Sequence, residues 1–262
     1  MKKKYKIGIA LSGGGTRGIF HLGVLKALED NNLFPEAVSG TSAGCIVGCL
    51  YAAGFSVDKI YELASKGSLF NAFGISFPSR GFAKHNFLDQ IIKRNLPINN
   101  FDVMEKKLFI AIANINSGQI EYREAGELHK VILASCSIPF VYKPIEMDGS
   151  IYLDGGLLKN LPASPLRPVC DIVIGVNLVA QTQVTEKQIS NIMSLANRVF
   201  DISVLNNIRP EIQHCDIVIE SEKLNAYGRF SFSKTKEMYD LGYEVTLAQL
   251  PDLKSKIEEL DY

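Results

Sequence analysis

A length of 262 residues suits one large or two small domains, and a 47% hydrophobic content can fill a sizeable core. Lysine plus arginine and aspartate plus glutamate number 28 each, so the formal net charge is zero, which argues against a dedicated nucleic-acid binder. The five cysteines (Cys45, Cys49, Cys136, Cys170, Cys215) are odd in number, scattered and form no C-x-x-C pair; this suggests neither a zinc ribbon nor a disulfide framework and fits a reducing cytosol.

In chain order, the start Lys2-Lys3-Lys4 resembles a signal-peptide n-region, but the apolar stretch Ile7–Leu11 is too short and runs into Gly13-Gly14-Gly15. No stretch approaches the roughly 20 apolar residues of a membrane span. The expectation is a soluble, cytoplasmic protein, able to sit peripherally on a membrane. Lys6–Leu11 reads as a strand, Ile19–Asn31 as a helix, Ala37–Gly40 as a short strand and Ser42–Ala53 as a helix ended by Gly54. Ser56 caps a helix over Ser56–Ser65. Gly67–Phe87 has neither period; its Phe70, Phe73, Phe77, Phe82 and Phe87 either tuck into the core or form a mobile cap, and residues 67–100 are taken as a variable, aromatic-rich cap segment.

Leu108–Ile115 and Ile120–Arg123 read as a hairpin through Asn116-Ser117-Gly118, Glu127–Ser135 as a helix, and Ile145–Met147 with Ile151–Asp154 as a second hairpin around Asp148-Gly149. Asp171–Val176 is an apolar strand buried on both faces. Thr185 and Gln188 have capping-box spacing at the head of a helix over Glu186–Ile208. Cys215–Glu220 is the last strand and Lys234–Leu250 the last long helix. Strand–helix alternation on this scale means an α/β sheet covered by helices, in a single domain over residues 1–262.

Three motifs carry chemistry. Gly40-Thr41-Ser42-Ala43-Gly44 is a G-x-S-x-G nucleophile elbow, in which a sharp strand-to-helix turn leaves no room for Cβ atoms beside the serine. It places the Ser42 hydroxyl at a helix N-terminus, which favours developing negative charge. Any glycine-rich turn can contain a serine, so the rest of the chain has to decide. Gly13-Gly14-Gly15-Thr16-Arg17-Gly18 is an anion-binding loop between the first strand and helix. Its spacing also matches G-x-G-x-x-G, but the acidic residue a dinucleotide site needs after the second strand is missing, since Glu36 precedes that strand. An oxyanion hole facing the serine fits better. Asp154-Gly155-Gly156 ends a strand; alone, Asp154 reads as a turn aspartate bonding its own backbone.

Together, the text around these motifs resembles the patatin-like phospholipases, in their small single-domain bacterial form. The resemblance runs through Leu11–Gly18, His21–Glu29, Gly40–Gly48, Ala134–Phe140, Leu153–Gly156, Asn160-Leu161-Pro162 and Phe232-Ser233-Lys234, nearly the whole chain. It implies a three-layer α/β/α sandwich with a mainly parallel central sheet. It also implies a lipid acyl hydrolase working through a Ser–Asp dyad, with Ser42 as nucleophile and Asp154 as general base. Gly13, Gly14, Gly15 and Gly18 become the oxyanion loop, with the Gly14 and Gly15 amides as donors. The implied substrate is a lipid ester (phospholipid, lysophospholipid or acylglycerol), with no cofactor and no metal.

Two other readings stay open. A Ser–His–Asp triad would use His214 with an acid such as Asp171. A non-catalytic lipid-binding protein could share the fold. His21 reads as packing, His85 and His129 as surface positions, and Arg17 as holding the glycine loop through backbone carbonyls or meeting an anionic head group. Gly44, Gly48 and Ala52 form a small-residue stripe that lets the elbow helix approach its neighbours closely.

Overall fold

The computed structural model describes residues 5–65, 86–179, 184–228 and 234–260. The readings of Phe70, Phe73, Phe77, Phe82, His85, Phe232 and Ser233 lie outside them, as does that of the Phe87 side chain.

Among the described residues the strands are β1 (Tyr5–Leu11), β2 (Ala37–Gly40), β3 (Lys107–Asn114), β4 (Gln119–Arg123), β5 (Ile145–Met147), β6 (Ser150–Asp154), β7 (Cys170–Asn177) and β8 (Ile217–Glu220). The helices are α1 (Ile19–Glu29), α2 (Ala43–Ala52), α3 (Val57–Ser65), α4 (Asn86–Asn95), α5 (Leu128–Ser135), α6 (Ile192–Ile212) and α7 (Thr235–Glu258). All strands form one sheet in the order β5-β6-β3-β2-β1-β7-β8, with β4 also paired to β3. The pairs from β3 through β2, β1 and β7 to β8 are parallel.

Alternation sorts the two faces. Ile7, Ile9 and Leu11 of β1, with Ile172, Ile174 and Val176 of β7, pack into one core together with α1, α2, α3, α4, α5 and α7. Ala10 and Val173 point to the other side, into a smaller core with Leu161, Leu166 and the α6 residues Val204 and Ile208. The sandwich is therefore lopsided. Its second outer layer is α6 and the winding segment that follows β6. From the expected cap, Leu88, Ile91, Ile92 and Leu96 of α4 and the turn after it belong to the larger core.

The strand carrying Asp154 does not run with the parallel strands, as a turn at their common edge would suggest. β6 is antiparallel to β3, with Asp154 opposite Ile112. Ile110 pairs with Gly40 on one side and with Arg123 on the other, while Ile112 pairs with Glu121 and Asp154. A strand has only two edges, so β2 and β6 share the same edge of β3. β2 stops at Gly40, and β6 enters from beyond the sheet and stops two positions above it. The two chain ends carrying Ser42 and Asp154 are thereby set head to head.

Other corrections are local. Thr185 and Gln188 do not open the long helix. Glu186–Gln188 is one 3-10 turn, and α6 starts at Ile192 under a capping box of Asn191 and Ser194 (2.9 Å and 3.1 Å). α7 continues through Pro251 to Glu258, held by buried Leu253 and Ile257. His129 is buried, its Nε2 2.7 Å from the Leu96 carbonyl, because the head of α5 docks on the turn after α4.

Candidate active site

Ser42 sits between β2 and α2 with φ 54° and ψ −120°, a backbone conformation that few non-glycine residues adopt. The flanking glycines make the turn possible. A Cβ on Gly40 would lie 2.6 Å from the Gly44 carbonyl oxygen, and one on Gly44 would lie 2.1 Å from that of Leu11. The strain is held in place from α5. The Ser42 N–H donates to Ser135 Oγ at 3.0 Å, and Ser135 Oγ in turn donates to the Ala111 carbonyl at 2.9 Å. The Cys136 thiol donates to the Ser42 carbonyl at 3.6 Å, and burial keeps that thiol protonated.

The same end of α5 holds the second group. The Asp154 N–H donates to the Ser137 carbonyl at 2.9 Å. The Asp154 carboxylate accepts the Gly156 N–H at 2.8 Å, and the nearby Ser42 hydroxyl also favours its charged form. Asp154 as a whole is 2% exposed. Burial raises its pKa from 3.8 to about 7, and the bonds from Gly156 and Ser42 offset only part of that rise. A carboxylate tuned this way is a far better base toward a hydroxyl than an ordinary aspartate.

The glycine loop approaches from β1. A Cβ on Gly13 would lie 3.1 Å from Ser42 Cβ and 2.6 Å from Asn160 Oδ1. Asn160 ties the loop down. Its Nδ2 donates to the Gly13 carbonyl at 3.1 Å, and its own carbonyl accepts the Gly13 N–H at 3.3 Å. Gly15 (φ 62°) opens a 3-10 turn over Gly15–Gly18. Arg17 is buried in that turn, and its guanidinium donates to the Tyr227 carbonyl at 2.8 and 2.9 Å and to the Leu178 carbonyl at 3.3 Å. Thr16 Oγ1 donates to the Gly228 carbonyl. His21 is fully buried and 2.8 Å from the Ser12 carbonyl, so its Nε2 carries the proton; burial lowers its pKa to about 4 and keeps the ring neutral.

Gly13, Gly14, Gly15, Ser42, Asp154 and Asn160 line one cavity of about 160 Å³ with Ile138, Val141, Val179 and the α6 residues Asn197, Phe200, Asp201 and Val204. The glycine loop, the elbow and the base turn are thus brought together. His214 is not. It precedes β8, whose Ile217 pairs with Ile174, while Ser42 lies beyond the opposite ends of the parallel strands. At 3.3 Å per residue, that is about 15 Å or more along the sheet. Asp171 lies at the same far edge, near the start of β7.

Sequence reading assigned no role to Ser135, Ser137, Asn160 or Asn207, which hold the site together. Asn207 projects from α6, where its Nδ2 donates to the Gly156 carbonyl and its Oδ1 accepts the Asn160 N–H, both at 2.8 Å. Ser203 and Glu211, one turn to either side, bond the Leu157 carbonyl (2.7 Å) and the Ser164 N–H (2.8 Å). Glu211 is buried and also pairs with Lys159 at 2.8 Å. Among the described residues there is no grouping of three or more histidine, cysteine or acidic side chains that could hold a metal ion.

Residues 9–167 match the family described as patatin-like phospholipase. A protein named lysophospholipase nte1 from Aspergillus fumigatus is 26% identical over 280 aligned residues, covering 95% of this chain and 18% of that protein. Lysophospholipase NTE1 of Yarrowia lipolytica is 32% identical over 167 residues, 62% of this chain and 12% of that protein. The chain therefore spans less than a fifth of the length of these curated relatives. Among solved structures, VipD from Legionella pneumophila shares the fold, with a TM-score of 0.55 at 15% identity over 95% of this chain and 67% of that one.

Proposed function

Because this chain belongs to the patatin-like phospholipase family, we propose that it hydrolyses lipid esters through Ser42 and Asp154. The observation that carries the reading is the strained, buried serine that shares one cavity with a buried carboxylate whose pKa lies near 7. Asp154 takes the hydroxyl proton as Ser42 Oγ attacks the ester carbonyl. The resulting oxyanion meets the Gly14 and Gly15 amides, each such donor being worth roughly 3–4 kcal/mol. Collapse expels the alcohol, which receives the proton from Asp154 and leaves an acyl-serine. Asp154 then takes a proton from water as it attacks the acyl-enzyme, and returns that proton to Ser42 Oγ as the acyl–oxygen bond breaks and the fatty acid leaves. Every step uses groups of this chain, with no cofactor.

The substrate class is acyl esters of lipids. The curated relatives are named lysophospholipases, which favours a single-chain phospholipid. A cavity of about 160 Å³ has room for the ester and the first methylenes. The substrate's own habitat makes a membrane surface the meeting place. A fluorophosphonate probe should label the wild type and fail on Ser42→Ala. Labelling of the folded Ser42→Ala protein at an equal rate would remove Ser42 as the nucleophile.

A further inference from the structure

The base and the oxyanion loop reach the cavity from strands far apart in the chain, and one side chain bridges what holds them. We infer that Asn207 is a positioning residue of the hydrolysis, setting the base turn and the glycine loop relative to each other. The inference rests on the Ser42–Asp154 reading.

Its carboxamide uses both ends. Nδ2 donates to the Gly156 carbonyl and Oδ1 accepts the Asn160 N–H, each at 2.8 Å. The assignment of oxygen and nitrogen is unambiguous, because a backbone carbonyl only accepts and a backbone N–H only donates. Each partner leads one step further into the site. The Gly156 N–H is the amide that holds Asp154 Oδ1 at 2.8 Å. Asn160 grips Gly13 through its side chain at 3.1 Å and its carbonyl at 3.3 Å. Asn207 thus lies two hydrogen bonds from the base and two from the loop, and does not itself line the cavity. Glu211 and Ser203, one turn away, fix the flanking backbone but reach neither branch.

The chemistry of the bridge explains why asparagine stands there. Alanine removes both bonds. Aspartate keeps the shape and the acceptor for Asn160, but turns an oxygen toward the Gly156 carbonyl and adds a negative charge behind the base. The other titratable groups around Asp154 are the Cys136 thiol on its α5 side and Asp201 on the α6 wall, with the Lys159–Glu211 pair one turn along α6. These are the same in wild type and variants.

The test is steady-state hydrolysis of a lysophospholipid by wild type, Asn207→Ala, Asn207→Asp and Ser42→Ala across pH 5–9, with folding followed by thermal melts. Displacement of catalytic groups by about 1 Å costs roughly 100-fold in rate. Asn207→Ala should lose about 10- to 100-fold in kcat with KM within about twofold. Asn207→Asp should move the acid limb of kcat/KM to higher pH. The inference is overturned if both variants keep kcat within about twofold with the acid limb unmoved, or if their losses follow only the folded fraction. Full activity in Ser42→Ala would instead overturn the underlying mechanism, so the two failures are told apart.

Discussion

At Asp154, the burial that suits the group to its proposed role as base also costs stability. With a folded pKa of about 7, the group is half ionised near neutrality and mostly ionised above it, so under the proposed mechanism kcat/KM should rise through pH 7 and then level. Stability runs the other way. Between 3.8 and about 7 the folded protein holds a proton that the unfolded chain has released, so the contribution of Asp154 falls as pH rises through that window. Asn, neutral at every pH, escapes the cost. Asp154→Asn should therefore be inactive yet more thermostable than wild type at pH 8, with the advantage shrinking to nothing near pH 4. His21 has the opposite sign: its pKa is lowered to about 4, so its contribution is complete above 6.5 and lost as pH falls toward 4. It is present in both proteins and cancels in the difference. Melting curves of the two across pH 4–8 would read the effect directly; a constant gap would refute the burial account of the Asp154 pKa.

At the scale of elements, α2 delivers the elbow and can do so only if nothing stands between it and β1. Gly44→Ala would put a Cβ 2.1 Å from the Leu11 carbonyl oxygen, a backbone atom with nowhere to go. Activity should fall by more than about 100-fold, with a loss of stability of roughly 2–3 kcal/mol. Gly118→Ala, in the open turn between β3 and β4 at φ +71°, should cost only about 1 kcal/mol of backbone strain and leave kcat unchanged. Comparable effects of the two on activity would disprove the packing explanation. The small-residue stripe on α2 was legible in the sequence because a local period encodes it, and so were β2 and the elbow at Ser42. Period two says nothing of strand direction, so the head-to-head meeting of β2 and β6 was not legible, although the Asp154 motif itself was. Thr185 and Gln188 had the right spacing for a cap, but Asn191 and Ser194, six residues on, had the better donor and acceptor set. Asn207 and Ser135 act on partners 24 to 93 residues away, and no local pattern signals such pairs.

At the scale of the molecule, the lopsided sandwich leaves the site guarded on one side mainly by α6. That helix turns polar residues (Ser203, Asn207, Glu211) toward the base turn. Its first turns carry apolar residues outward instead, with Ile192 84%, Leu195 49% and Val199 57% exposed. Ile192 lies eleven residues before Ser203, about 16 Å along the axis at 1.5 Å per residue, so this end of α6 projects past the base turn. On the α5 side, Phe140 is 52% exposed at φ 65°, between Ile138 and Val141, which line the cavity. Among the described residues no helix is long and apolar enough to cross a membrane. Under the proposed lipid hydrolysis, these exposed apolar side chains are the groups that would meet lipid. Ser42→Ala protein, which leaves lipid intact, should sediment with phosphatidylcholine vesicles. Zero net charge predicts little gain from adding anionic lipid. Placing charges at Ile192 and Val199, as Ile192→Glu with Val199→Glu, removes two apolar side chains worth about 1–2 kcal/mol each at an interface. Vesicle binding should weaken by at least about tenfold, while hydrolysis of a short, water-soluble ester by the same variant in an otherwise wild-type chain stays within about twofold. Unchanged sedimentation would show that lipid meets another face, and loss of both readouts would show that the two side chains support the fold rather than the surface.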